Sequence, residues 1–240
     1  AKAHLNEKLE AVFRHIEESS QGSEAESDFA GLFADFDVNS NKLGSTVAKR
    51  NEKLVKLLNG VADMNLGSVQ DHDIDAFGDA YEYLIGQFAS DSGKKAGEFY
   101  TPQAVSHLMT QIVFAGREHQ KGMSLYDPTM GSGSLLLNAK RYSKEASTIS
   151  YYGQELVTST YNLARMNMML HGVAIENYPL SNHDTLDEDW PTTEPTDFDG
   201  VLMNPPYSLK WSADSGFLQD PRFSSYGVLA PKSKADFAFL

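Results

Sequence analysis

The chain has 240 residues, 41% hydrophobic and 22% charged, the proportions of an ordinary soluble globular protein with material for one large domain or two small ones. It has no cysteine, which excludes disulfides, thiolate metal ligands and a cysteine nucleophile and makes the cytoplasm the default location. A net charge of -13 argues against a generic nucleic-acid binder, because phosphate contacts draw on lysine and arginine.

No membrane segment is expected: wholly apolar stretches such as 135–137 fall far short of the roughly 20 residues a spanning helix needs, and the N-terminus lacks a basic-then-apolar signal pattern. From the start of the chain, Leu5, Leu9, Val12, Phe13 and Ile16 share one helical face and Leu54, Leu57, Leu58 and Val61 another; Tyr81, Leu84, Ile85 and Phe88 continue the pattern. Residues 19–27 read as a polar loop and 39–45 as a turn. An all-helical N-terminal domain over 1–92 follows, with a structural or docking role, since no cluster of chemically useful residues stands there.

A second linker, 91–97, precedes a change of texture over 93–240. Segments 123–126, 149–153 and 200–203 read as strands, and 102–114, 134–144 and 159–170 as helices. Such alternation predicts an α/β domain with a parallel sheet and crossover helices, whose ligands bind beyond the carboxyl ends of the strands.

The first of those ends reads Asp127-Pro128-Thr129-Met130-Gly131-Ser132-Gly133-Ser134, a carboxylate followed by a glycine turn that opens a helix. It lacks the Lys-Ser/Thr ending of a phosphate-cradling loop. Glu155 follows the second strand, 22 residues after Gly133, near the spacing at which an acid accepts from ribose hydroxyls. Asp184 stands where a third strand should end and could accept from an adenine amino group. Each feature alone also fits an ordinary turn or a solvated strand end. Three acids beside one glycine turn suit a ligand with an ammonium group, a ribose and an adenine, and would repel a pyrophosphate; S-adenosylmethionine fits.

After the strand at 200–203 comes Asn204-Pro205-Pro206-Tyr207. The prolines leave no N–H at either position, so this turn can present carbonyls, a carboxamide and a stacking ring. Two acceptors can hold both hydrogens of an exocyclic amine and aim its lone pair at a sulfonium methyl. The Asn204 oxygen and the Pro205 carbonyl suit that task, with Tyr207 stacking on the base. A metal is not required, and the seven histidines form no ligand spacing such as HExxH.

With the glycine motif before it, this motif resembles the amino-methyltransferase family, in the order of the gamma class of N6-adenine enzymes. Absence of cysteine separately excludes cytosine-C5 chemistry. Upstream, Gly97-Glu98-Phe99-Tyr100-Thr101-Pro102 places Thr101 to cap a helix and Pro102 in its first turn, where free N–H groups favour a carboxylate. A helical front region, this segment, the DPxxGSG turn and NPPY together resemble the modification subunit of type I restriction-modification systems. The resemblance implies a Rossmann-like methyltransferase core that transfers methyl from S-adenosylmethionine to adenine N6 in double-stranded DNA. It also implies cofactor contacts from Glu98, Phe99, Tyr100, Thr101, Pro102, Gln103, Asp127, Gly131, Ser132, Gly133, Ser134, Glu155 and Asp184, and catalysis at Asn204, Pro205, Pro206 and Tyr207. The implied partners are a DNA-specificity subunit, a restriction (motor) subunit and a second copy of the chain. Segment 234–240 resembles the family's next motif, with Phe239 lining the pocket. Against the family pattern the core is expected to be incomplete at its C-terminus. A methyltransferase acting on protein glutamine or RNA, or a non-catalytic scaffold subunit, are the alternatives.

Overall fold

The computed structural model describes residues 2–63, 80–81, 83–87, 101–193 and 197–240. It divides into two compact units, Ala1–Ala80 and Tyr81–Leu240.

The first unit is helical: α1 (Leu5–Ser19), α2 (Glu26–Phe29) and α3 (Val47–Ala62). Extended Thr46 starts α3, its side chain accepting from the Lys49 amide at 3.3 Å, a cap worth about 1 kcal/mol. Buried Asn51 accepts from the Asn6 amide and donates to the Ala3 carbonyl, both at 3.1 Å, and Asn6 donates to Asn39 at 2.7 Å. These bonds join α1, α3 and the turn predicted over 39–45. Phe13 stacks on Phe33 at 4.6 Å and meets Phe36 edge-on. The expected apolar face of α3 is only partly buried: Leu54 is inside, whereas Leu57, Leu58 and Val61 are exposed, because the contact runs through the Asn51–Leu54 half of the helix. The loop expected over 19–27 gives way to α2 at Glu26.

In the second unit, residues 81 and 83–87 are helical, with Ile85 buried and the Tyr81 hydroxyl donating to the Leu163 carbonyl. Then follow α4 (Gln103–Phe114), β1 (Ser124–Asp127), α5 (Ser134–Leu137), α6 (Ala139–Tyr142), β2 (Ser150–Gln154), α7 (Thr158–Leu170), β3 (Leu180–Ser181), β4 (Gly200–Val201) and α8 (Pro221–Ser224). The strands form one parallel sheet in the order β3-β2-β1-β4, as the alternation predicts. Asp127 lies opposite Gly153 and Tyr126 opposite Val201. One sheet face packs Leu125 and Tyr151 into a core with Phe114, Met123, Leu136, Ile149 and Met168. The other carries an aromatic layer in which Tyr126 stacks on Phe198 at 4.8 Å.

Three local expectations need correction. The helix expected over 134–144 is interrupted at Asn138, where the ladder loosens to 3.3 Å and Arg141 bonds back to Asn138 instead; the buried Asn138 carboxamide turns to Ser106 and Gln103, a side-chain competition typical of asparagine. Thr101 does not cap α4: extended Pro102 occupies the cap position, its carbonyl accepting from Val105 and Ser106. Strands β1 and β2 start and end one residue later than expected, while β4 pairs only over Gly200–Val201. The linker at 91–97 and Phe88 lie outside the described residues. Among the described residues no helix is long and apolar enough to cross a membrane.

Candidate active site

A parallel sheet puts the carboxyl ends of its strands along one edge, and the candidate acids stand there. Asp127 ends β1, Glu155 follows β2, and Asp184 lies three residues beyond β3. Next to Asp127 the glycine turn is pinned by backbone bonds from Met130 to Gln154 and from Gly133 to Met130, each 2.9 Å. Gly131 (φ 55°) and Gly133 (φ 76°) are both left-handed, a conformation that costs a side-chain-bearing residue about 1–2 kcal/mol. Helix α7 backs the turn closely: a Cβ at Gly133 would stand 3.3 Å from the Met168 methyl.

Asp127 is fully buried and accepts from the Thr129 amide at 2.9 Å and its hydroxyl at 3.3 Å. Burial pushes its carboxyl up to about 7, against the pull of the Thr129 bonds, and the nearby Glu155 charge adds to the rise. Glu155 is also raised by burial, opposed by the N–H groups of Val157, Gly131 and Leu156. The Gly131 amide thus points at Glu155, so Asp127, the turn and Glu155 form one constellation. The loop carrying Asp184 is attached to it: Asn182 donates to the Glu155 carbonyl at 2.7 Å, and Thr185 donates to the Pro128 carbonyl. Asp184 itself uses one oxygen to hold the Leu186 amide at 2.9 Å.

Of the upstream segment, Glu98, Phe99 and Tyr100 lie outside the described residues. Thr101 is buried, and Gln103 accepts from Asn138 at 3.3 Å, so the first turn of α4 is tied to the helix that the glycine turn opens. On the far side, Leu202 donates to the Tyr126 carbonyl at 2.9 Å, which aligns the end of β4 with Asp127. Asn204, Pro205 and Pro206 follow, half-buried, and the Tyr207 ring is 73% exposed. Strand adjacency, rather than a direct bond, brings this turn beside the glycine turn.

Two residues that matter here were not singled out by sequence. Asp236 accepts from the Ser208 amide with both oxygens at 3.2 Å, steadying a left-handed residue (φ 59°) immediately after Tyr207. Asn167 is buried in α7 and donates to the Ser132 carbonyl at 2.9 Å; like Asn162, it is a carboxamide on the buried side of a helix rich in Met and Leu.

A cavity of about 1040 Å³ lies against the aromatic sheet face, lined among others by Tyr126, Trp190, Phe198, Val201, Met203 and Phe239. Phe239 lines this cavity, which carries none of the candidate cofactor-binding or catalytic residues. Asp127, Gly131, Glu155, Asn204 and Tyr207 do not border it, but their chain neighbours Tyr126, Pro128 and Met203 do, so this hollow adjoins the charged constellation. A cationic ligand belongs with the carboxylates.

The description N-6 DNA Methylase belongs to the family model that matches residues 72–240. The Type I restriction enzyme MpnII methylase subunit of Mycoplasma pneumoniae is 44% identical over 248 aligned positions, covering 98% of this chain and 45% of the relative. The HindI methylase subunit of Haemophilus influenzae is 31% identical over 69% of this chain and 36% of its own length. Among solved structures, the type I restriction-modification system methyltransferase subunit from Streptococcus thermophilus superposes with a TM-score of 0.87 at 62% identity, over 97% of this chain and 47% of that one. The chain therefore spans less than half the length of these relatives. Both the motif order and these matches lead to one assignment: the chain belongs to the N-6 DNA methylase family.

Proposed function

We propose that the chain is the cofactor- and base-binding portion of a type I modification subunit that methylates adenine N6 in double-stranded DNA, using S-adenosylmethionine. The observation that carries this reading is the Asn-Pro-Pro-Tyr turn on β4, hydrogen-bonded neighbour of the strand that ends in Asp127 and the glycine turn.

The site fits that cofactor. A carboxylate held up to about 7 by burial has no cationic partner among the described residues, and the methionine ammonium supplies one; the left-handed glycines leave the backbone bare for close approach. When bound, S-adenosylmethionine supplies an electrophilic methyl on sulfur. The chain's own residues do the rest. Asp127 and Glu155 attract positive charge and accept from ammonium and ribose hydroxyls, while Asp184 keeps one oxygen for the adenine amino group. Asn204 and the Pro205 carbonyl accept both hydrogens of a target amine, which orients its lone pair. Among the described residues nothing engages the Asn204 carboxamide, so it is available for that contact. Exposed Tyr207 offers a ring for a base turned out of the duplex, where its N6 becomes reachable.

The names of the relatives, methylase subunits of type I restriction enzymes, support a place in a multisubunit enzyme; the partners proposed with it are a specificity subunit that reads DNA sequence, a restriction subunit and a second copy of the methylase, in a cytoplasmic setting. This division of labour suits a net charge of -13, because the phosphate grip then resides largely elsewhere. In the same reading 1–92 is a docking domain and 93–240 the catalytic domain. The test is transfer of a tritiated methyl group to duplex DNA, RNA and protein acceptors by the chain joined with its partner subunits. Label at adenine N6 is expected; label confined to RNA or glutamine would sink the reading.

A further inference from the structure

Asn167 sits in α7, completely buried, with its side chain against the glycine turn. Its Nδ2 donates to the Ser132 carbonyl at 2.9 Å and reaches the Ser134 hydroxyl at 3.4 Å; that hydroxyl shares a proton with Ser132 Oγ at 3.0 Å. Its Oδ1 has no hydrogen-bond partner among the described residues. Turning the amide over would set Oδ1 against the Ser132 carbonyl, acceptor against acceptor, so the donor must face the turn. An unpaired buried carbonyl oxygen lowers stability, whereas an aliphatic side chain of similar size would leave the Ser132 carbonyl unpaired in its place. The asparagine thus exchanges one unpaired carbonyl for another, and what it adds is a hold on the turn.

The bond acts on one peptide plane. Ser132 lies between Gly131 and Gly133, whose missing side chains let the neighbouring planes rotate at little cost. The Ser132–Gly133 plane is held at its N–H by the Met130 carbonyl at 2.9 Å and at its C=O by Asn167, so it is fixed at both ends. We propose that Asn167 is a positioning residue for the cofactor turn: it locks this plane so that the glycine backbone is already shaped to receive S-adenosylmethionine. The inference rests on the reading of the site as a cofactor site, and it assigns that preorganisation to a residue outside the pocket.

Calorimetric titration of the chain with S-adenosylmethionine, paired with thermal denaturation, tests it in Asn167→Leu and Asn167→Asp. Leucine fills the space without a donor. It should weaken the cofactor about tenfold, the equivalent of one lost hydrogen bond, with a melting midpoint close to that of the wild type, because one buried carbonyl is left unpaired in each protein. Aspartate can donate to Ser132 only while protonated, a state its burial favours. Its affinity relative to the wild type should be near unity in acid and decline as pH rises, a profile that a filler residue would not produce. Wild-type affinity in Asn167→Leu, or a relative affinity for Asn167→Asp that stays flat between about pH 5.5 and 9, would overturn the assignment and leave the proposed function standing. A wild-type chain that binds no cofactor would overturn both.

Discussion

Replacing Asp127 by asparagine should separate what the buried carboxylate costs the fold from what it does for the cofactor. Its folded value near 7, against 3.8 for an unperturbed Asp, means the native state keeps this proton longer than the unfolded chain does. Stability is therefore greatest where both states are protonated and declines as pH rises from near 4 through 7. At about 1.36 kcal/mol per unit, the ionised carboxylate lowers stability by up to about 4 kcal/mol above pH 7. Asparagine retains an oxygen for the Thr129 amide but cannot ionise. Taking half the ceiling as realised, Asp127→Asn should be about 2 kcal/mol more stable than wild type at pH 8, a midpoint shift of about 4–8 °C for a chain of this size. The advantage should shrink toward pH 5. Cofactor binding should move the other way, weakening about tenfold or more for loss of a charge-assisted contact. Melting curves over pH 5–8.5 and titration with S-adenosylmethionine measure both effects. Parallel wild-type and variant midpoints across that range, or a variant less stable at pH 8, would refute the reasoning.

Asn204→Ala should abolish methyl transfer and leave the affinity for S-adenosylmethionine unchanged, as read by transfer assay and titration. Gly153→Ala would drive a methyl group into the Met130 side chain and toward Leu180; a loss of about 1–3 kcal/mol is expected from overpacking, with weaker cofactor binding because Met130 anchors the glycine turn. Asp199 accepts from the Ser124 amide, Arg117 and Gln120, each at 2.9 Å, and the Ser124 amide bond is the main reason its carboxyl lies below the usual value. Its contribution is present above the unfolded value of about 3.8 and vanishes as pH falls through the folded one. Asp199→Ala should cost about 2 kcal/mol at pH 7 and progressively less in acid denaturation series below pH 4.

Periodicity carried the parallel sheet, because β1 closes on Asp127 and β2 on Gly153-Gln154 just before Glu155. It could not place α3 correctly: Leu57, Leu58 and Val61 obey the helical spacing yet remain exposed, since a pattern defines a face but not the partner that covers it. In α4 the pattern is turned about. Ser106 and Thr110 are buried while Val105, Leu108 and Ile112 face outward, because Asn138 bonds Ser106 across the helix interface. Composition cannot register such a pairing. The DPxxGSG turn, Glu155 and NPPY were legible because each follows a strand end. Asn167 and Asp236 were not, because their roles come from partners 35 and 28 residues away.

The pairing of β1 with β4 has a metric consequence. Neighbouring strands are separated by about 4.8 Å, a length set by backbone geometry and indifferent to side chains. On the proposed function, the glycine turn and the Asn-Pro-Pro-Tyr turn are thereby gauged against each other before any loop is shaped, so the loops around them can vary in content without recalibrating the reach of a transferred methyl group.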